Sequence, residues 1–134
     1  MEKLDYDSGI YLLELNLAHK KEIKIGAKGL HFFPDGYYYY CGSAQKNLQA
    51  RINRHLAVDK NFHWHIDYLL AESEISDFNT WPYSQDKECK LAEYIKEELT
   101  GNIIVKGFGA SDCNCTSHLF HFEAELDAEN KEWC

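Results

Sequence analysis

The sequence predicts a mixed fold of the α/β class, in the form of an α+β sandwich whose small, largely antiparallel sheet is flanked by helices. Short segments that favour strands are interspersed with two well-formed amphipathic helices. The 134 residues are 45% hydrophobic and 14% aromatic with only two prolines, a composition typical of a globular core. No repeat, low-complexity segment or linker divides the chain, so we expect a single domain over residues 1–134.

The first half of the chain is predicted to consist of strands separated by turns. One strand begins at Gly9, and a second short strand follows before a series of glycine and proline turn residues. The next strand contains four consecutive tyrosines, and the two-residue period of a strand places Tyr38 and Tyr40 on one face. Tyr37 and Tyr39 then lie on the opposite face, where we expect them to serve packing.

The second half of the chain contains the two predicted helices. The first begins at Asn47, because Leu48, Ile52 and Leu56 recur every four residues along one helical face. The elements predicted after it are a strand, a second helix and two late strands, at residues 75–81, 86–99, 102–106 and 117–122.

The charge of the chain is unevenly distributed. The formal net charge is -8, but residues 1–70 hold nine Lys and Arg against eight Asp and Glu. The excess of acid therefore lies in residues 71–134, above all in an acidic C-terminal tail over residues 123–134. This balance argues against strong non-specific DNA binding without excluding a local basic site.

The N-terminus and the cysteine content bear on localisation. The N-terminus lacks the basic and then apolar layout of a secretory signal, and no apolar run reaches the length of a membrane helix. We therefore expect a cytoplasmic protein that does not engage a membrane. Its five cysteines are then expected to remain thiols.

Two ionisable groups lie at the edge of the apolar face of the first helix. Arg51 and His55 are four residues apart and therefore neighbours on the helix surface. A guanidinium suits phosphate, and an imidazole can bind, donate or relay a proton. The alternative is a solvated helix edge, on which Arg51, Arg54 and Lys46 serve only solubility.

Glu88 interrupts the apolar face of the second predicted helix. At about 100° per residue its side chain projects between those of Leu91 and Leu99. A carboxylate directed at a core is costly unless it is paired, protonated or bound to a cation, so Glu88 is a candidate site residue. The alternative is that Glu88 lies in the first turn of the helix, where its negative charge interacts favourably with the helix dipole and its side chain reaches solvent.

An ordered set of short motifs resembles the GIY-YIG nuclease superfamily. The set comprises Gly9-Ile10-Tyr11, then Tyr40-Cys41-Gly42-Ser43, then Arg51 with His55, and then Glu88 on a later helix. The passages His63–Leu69 and Gly107–Cys115 resemble a GIY-YIG-like branch whose members stand alone or are joined to DNA-repair glycosylases. The second motif here is YCG where the family has YIG, and the long gap between the two tyrosines implies an inserted hairpin over residues 20–36.

The resemblance implies a GIY-YIG-like fold with extra C-terminal strands, and an endonuclease that hydrolyses DNA in repair or processing. Tyr11 and Tyr40 would orient or deprotonate the attacking water, Arg51 would stabilise the phosphorane charge, and His55 would carry a proton or bind phosphate. Glu88 would hold one divalent ion, Mg²⁺ or Mn²⁺. The expected partners are DNA and a DNA-repair protein. The residues expected to bind substrate are Gly42, Ser43, Lys46, Arg54, His63 and His65.

Two further clusters have alternative interpretations. His63, His65 and Asp67 share a face if their segment is extended. They would then form either a phosphate or metal site or a polar niche beside Trp64. Cys113, Cys115 and His118 offer soft zinc ligands, but zinc normally needs four, and the spacing favours a loop of free thiols that packs on Phe108. The alternatives to the nuclease are therefore a catalytically silent nucleic-acid- or protein-binding module of the same fold, and a zinc-binding structural domain.

Overall fold

A computed structural model describes residues 7–57, 60–62, 64–84, 86–110, 115–127 and 130. Strands and helices both form within these residues, and the predicted α+β class is confirmed. The elements are β1 (Gly9–Leu17), β2 (Lys21–Lys24), β3 (Leu30–Phe33), β4 (Gly36–Ala44), α1 (Leu48–Leu56), α2 (His65–Leu70), β5 (Glu74–Pro82), α3 (Lys87–Glu97) and β6 (Leu119–Phe122).

The central sheet has four antiparallel strands in the order β5-β1-β4-β6. The long strands β1 and β4 occupy its middle and pair along their whole length, from Gly9 opposite Ala44 to Leu17 opposite Gly36. Strands β2 and β3 form a separate two-stranded hairpin, which confirms the hairpin predicted over residues 20–36. None of the helices in the described ranges is long and apolar enough to cross a membrane.

The two faces of the sheet bury different helices. Tyr38 and Tyr40 face a core that includes side chains of α1 and α2, as the alternation along the tyrosine strand predicts. Tyr39 and Cys41 face the other core, which is covered by Leu91 and its neighbours on α3. The sheet is therefore sandwiched between helices, and the two candidate catalytic helices lie on opposite faces.

One of the predicted late strands does not form. Leu119–Phe122 is a strand, but the prediction for residues 102–106 is wrong beyond a single bridge between Asn102 and His121. The apolar residues there pack in both directions, since Ile103 contacts the α3 core and Val105 the opposite one. The backbone then turns at Gly107, whose φ is +79°. A regular strand over residues 102–106 is therefore not formed, because the chain packs on both cores and turns at Gly107.

Candidate active site

The ring of Tyr11 lies across the backbone of Gly42. The two residues face each other in adjacent strands, and a Cβ atom at position 42 would lie 2.5 Å from Cε2 of Tyr11. Gly42 therefore leaves the space that the phenol occupies. Strand β4 continues through Gly42 and Ser43 to Ala44.

Tyr11 and His55 form a buried hydrogen-bonded pair. The Tyr11 hydroxyl oxygen lies 2.9 Å from Nε2 of His55, and each residue is only 2% exposed. Burial raises the pKa of Tyr11 to about 12, although the charge of Arg51 acts in the opposite direction. Burial also lowers the pKa of His55 to about 4. At neutral pH both groups are therefore uncharged, and the hydrogen bond joins a neutral phenol to a neutral imidazole.

Tyr40 packs beside this pair. Its ring centroid lies 6.4 Å from that of Tyr11 and 6.3 Å from that of His55. Phe108 covers it with an edge-to-face contact at 6.2 Å. Burial raises the pKa of Tyr40, and the negative charge of Glu88 acts in the same direction. Tyr40 is therefore a neutral phenol next to the Tyr11–His55 pair.

Arg51 lies at the same end of the sheet, between the strand end and an indole ring. Its Nη1 donates a hydrogen bond to the carbonyl of Ser43 at 3.1 Å, and its guanidinium carbon lies 4.6 Å from the centroid of the Trp64 ring. These contacts hold the guanidinium beside Tyr11, whose pKa it lowers. Arg51 remains partly exposed and keeps donors for an anion.

Glu88 reaches the same end of the sheet from the opposite face. It lies in the first turn of α3, where its Oε1 accepts a hydrogen bond from the Ser43 hydroxyl. Its Oε2 lies 2.7 Å from Nδ1 of His118, and the Glu88 side chain is 25% exposed. Its charge raises the pKa values of Tyr11 and Tyr40. Glu88 therefore does not enter the apolar core but turns to the end of the sheet, close to the two phenols.

The residues predicted to bind substrate have several different positions. Ser43 joins the site through Glu88 and Arg51, whereas Lys46 is exposed in the turn before α1. His65 packs on Phe108 with centroids 5.5 Å apart, and its Nδ1 accepts a hydrogen bond from the amide of Gly109. His63 lies outside the described residues.

Arg54 has a structural partner. Its guanidinium makes two 3.0 Å bonds to the carboxylate of Asp67, which is 0% exposed. The shared face that an extended segment would give His65 and Asp67 does not form, because a helix begins at His65. Asp67 also accepts a hydrogen bond from the Trp64 amide. The Arg54–Asp67 pair thus joins α1 to α2. The guanidinium carbon of Arg54 also lies 4.3 Å from the centroid of the Trp64 ring, which Arg51 contacts as well.

A second cluster lies next to Glu88 and could hold a metal ion. Its members are Cys89, Cys115 and His118, whose candidate ligand atoms all lie within 4.8 Å of one another. The sequence pattern pointed to His118 and Cys115, but Cys89 was missed because it stands 26 residues earlier in the chain. The adjacency of Cys89 to Glu88 in sequence was the available signal. Cys113 lies outside the described residues.

The fold and the site together define an α+β protein with two neutral phenols, an imidazole, a guanidinium and a carboxylate at one end of an antiparallel sheet. The chain belongs to the family described as "Domain of unknown function DUF123", which matches residues 10–133. Comparison with curated proteins gives no match, and comparison with solved structures gives none.

Proposed function

We propose that this protein is a metal-dependent endonuclease that hydrolyses DNA phosphodiester bonds. The observation that carries the proposal is the Tyr11–His55 hydrogen bond, with Arg51 and Glu88 at the same end of the sheet. Phosphodiester hydrolysis needs a route for the proton of the attacking water and positive charge for the transition state. The side chains at this end of the sheet supply both requirements.

The Tyr11–His55 pair supplies the proton route. As water attacks phosphorus, its proton passes to the Tyr11 hydroxyl oxygen while the Tyr11 proton passes to Nε2 of His55. The bond from phosphorus to the leaving ester oxygen breaks, this oxygen takes a proton from solvent, and His55 then returns its proton to solvent. A tyrosinate is not needed at any stage, which agrees with a Tyr11 pKa of about 12. Tyr40 holds the water by donating a hydrogen bond to it, since burial keeps this phenol protonated.

Arg51 and Glu88 supply the charge control. The guanidinium of Arg51 donates to the phosphate oxygens as negative charge accumulates on them. Glu88 offers a partly exposed carboxylate, and Mg²⁺ in phosphate sites is commonly held by one or two carboxylates with water and substrate oxygens. Its Ser43 and His118 contacts leave further lone pairs on both oxygens. The residues therefore fit one Mg²⁺ or Mn²⁺, which when bound would neutralise phosphate charge.

DNA is proposed as the substrate on the resemblance to GIY-YIG nucleases. Because residues 71–134 carry a large excess of Asp and Glu, the chain offers little basic surface with which to bind DNA. We therefore propose that a DNA-repair protein delivers the substrate. Part of the acidic tail is itself in the fold, because the amide of Leu126 donates a hydrogen bond to the Tyr39 hydroxyl.

A nuclease assay tests the proposal. The protein would be incubated with branched, nicked, single-stranded and duplex DNA, with Mg²⁺ or Mn²⁺ and with excess chelator. We expect cleavage of at least one substrate that the chelator abolishes and that Tyr11→Phe reduces strongly, because the relay hydroxyl is lost. If no substrate is cleaved with either metal although the protein is folded, a catalytically silent binding module explains the chain better.

A further inference from the structure

We infer that Cys89, Cys115 and His118 form a zinc site, distinct from the magnesium position proposed at Glu88. The three residues come from two separate parts of the chain, the first turn of α3 and the segment that leads into β6. Their candidate ligand atoms all lie within 4.8 Å of one another, and Sγ of Cys89 is 4.0 Å from Nε2 of His118.

These distances are close to those between the ligand atoms of a bound zinc ion. A tetrahedral zinc ion with ordinary Zn–S and Zn–N bond lengths sets its ligand atoms about 3.6–3.8 Å apart. The cluster therefore needs a contraction of about 1 Å or less at each pair to reach zinc geometry. Two thiols and an imidazole are also a donor set that favours zinc over the hard cations magnesium and calcium.

The cluster has both an anchor and an entry path. The carbonyl of His118 accepts a hydrogen bond from the amide of Cys41, which fixes its segment to β4 while the imidazole stays 1% exposed. Cys89 and Cys115 are only half-buried and line an open groove of 380 Å³ together with residues of α3 and Phe120. A metal ion that enters this groove meets the two thiols that line it, and Nε2 of His118 lies 4.0 Å from Sγ of Cys89.

Glu88 occupies the outer position that a carboxylate commonly takes around zinc-bound histidines. Its Oε2 faces Nδ1 of His118 at 2.7 Å, while Nε2 of the same ring faces Cys89. Such carboxylates fix the tautomer and the orientation of the ligand histidine. A zinc ion on Nε2 would in turn hold His118 in place and thereby position the Glu88 carboxylate at the end of the sheet.

Elemental analysis and chelator titration test the zinc site. The full chain would be purified under reducing conditions without chelator, and zinc would be measured per chain. We expect about one zinc ion per chain, and at least a tenfold lower zinc affinity in Cys89→Ser and in Cys115→Ser. Thr116→Ala is the matched control, since its side chain adjoins the cluster and lines the same groove without offering a soft ligand. Chelator should lower the Tm of the wild type and of this control.

Glu88→Gln tests the link between Glu88 and the zinc ion. Loss of a carboxylate that orients a ligand histidine typically weakens metal binding about 10–100-fold, so the variant should bind zinc more weakly but still bind it. Unchanged zinc affinity would overturn the positioning role. Zinc binding does not depend on nuclease activity, so failure of the two proposals is distinguishable.

Cobalt substitution keeps the inference testable if the cysteine variants fail to fold. Co²⁺ added to the wild-type chain should produce thiolate-to-metal charge-transfer absorption and tetrahedral d–d bands. The absence of both bands, together with less than about a tenth of a zinc ion per chain, would overturn the zinc site. A Cys89–Cys115 disulfide in protein freshly purified under reducing conditions would also overturn it.

Discussion

The hydroxyl oxygen of Tyr11 lies 2.9 Å from Nε2 of His55, and both groups are neutral near pH 7, since burial lowers the pKa of His55 to about 4 and raises that of Tyr11 to about 12. The imidazole is held uncharged because α1 carries it into the core between Tyr11, Tyr40 and Trp64, with ring centroids 5.4, 6.3 and 5.7 Å away. Within the described part of the chain no group hydrogen-bonds its Nδ1. Protonation of His55 therefore brings a poorly compensated charge into the core.

The low pKa of His55 predicts that stability falls as the pH is lowered. Between pH 6.5 and about 4 the unfolded chain binds a proton at this position that the folded chain does not bind. The free energy of unfolding should therefore decrease over this window and level off below it, with a contribution from His55 of up to about 3 kcal/mol. Urea unfolding at a series of pH values measures this dependence.

His55→Gln is the control for the pH dependence. Glutamine can still accept the Tyr11 hydrogen bond but does not titrate, so the variant should lose much of the slope between pH 6.5 and 4. An identical slope in both proteins would show that other groups cause the pH dependence.

Gly42→Ala should destabilise the fold through Tyr11. The new methyl group would overlap the phenol ring, and overpacking of this kind costs about 1–3 kcal/mol. The cost should shrink when Tyr11→Leu removes the ring, so a double-mutant cycle should give a coupling energy of about 1 kcal/mol or more. Additive effects of the two substitutions in urea unfolding would contradict the close approach.

Tyr39→Phe should be clearly destabilising, contrary to the packing role predicted for this residue. The Tyr39 hydroxyl donates a 2.7 Å hydrogen bond to the buried carboxylate of Glu14 and accepts one from the amide of Leu126. Its loss leaves Glu14 with one donor fewer in the core, which costs about 1–3 kcal/mol.

Tyr37→Phe is the matched control for this substitution. Tyr37 is in the same strand and on the same face but only half-buried, so its free energy of unfolding should change by less than about 0.5 kcal/mol. Equal effects of the two substitutions in chemical unfolding would refute a specific role of the Tyr39 hydroxyl.

Glu88→Gln should abolish metal-dependent cleavage while the fold survives. The amide keeps the shape of the side chain but removes the charge proposed to hold Mg²⁺. Arg51→Ala should reduce the rate about a hundredfold or more, since the loss of one transition-state donor typically costs about 3 kcal/mol. Both effects are measured as single-turnover rates on the DNA substrate found for the wild type.

Glu93→Gln controls for the loss of one negative charge on α3. Glu93 is on the same helix, is exposed and lies away from the strand end, so its rate should match the wild type. If Glu88→Gln cleaves as fast as Glu93→Gln, Glu88 is not the ligand of the catalytic ion.

Local sequence signals predicted most of the elements and several of the site residues. The two-residue period of the tyrosine strand placed Tyr40 and Tyr39 on opposite faces, and this prediction is confirmed because it depends on spacing within one element. The four-residue period of α1 was only partly right, because His55 is buried in the core whereas Leu56 is 40% exposed. The strand at residues 102–106 failed because its apolar residues serve two cores, which spacing alone cannot reveal.

The sequence by itself determined most of the elements, the face of the sheet on which each tyrosine of β4 lies, and the types of chemical group available. Only the tertiary structure decided which groups meet, because the decisive contacts join residues distant in the chain. In the folded chain Arg54 pairs with Asp67, and Tyr11 forms a hydrogen bond with His55. Glu88 contacts Ser43 and His118. The tertiary structure also brought Cys89 beside Cys115. The reason is physical: strand pairing and helix packing fix the distances between elements, and no periodicity within an element contains them.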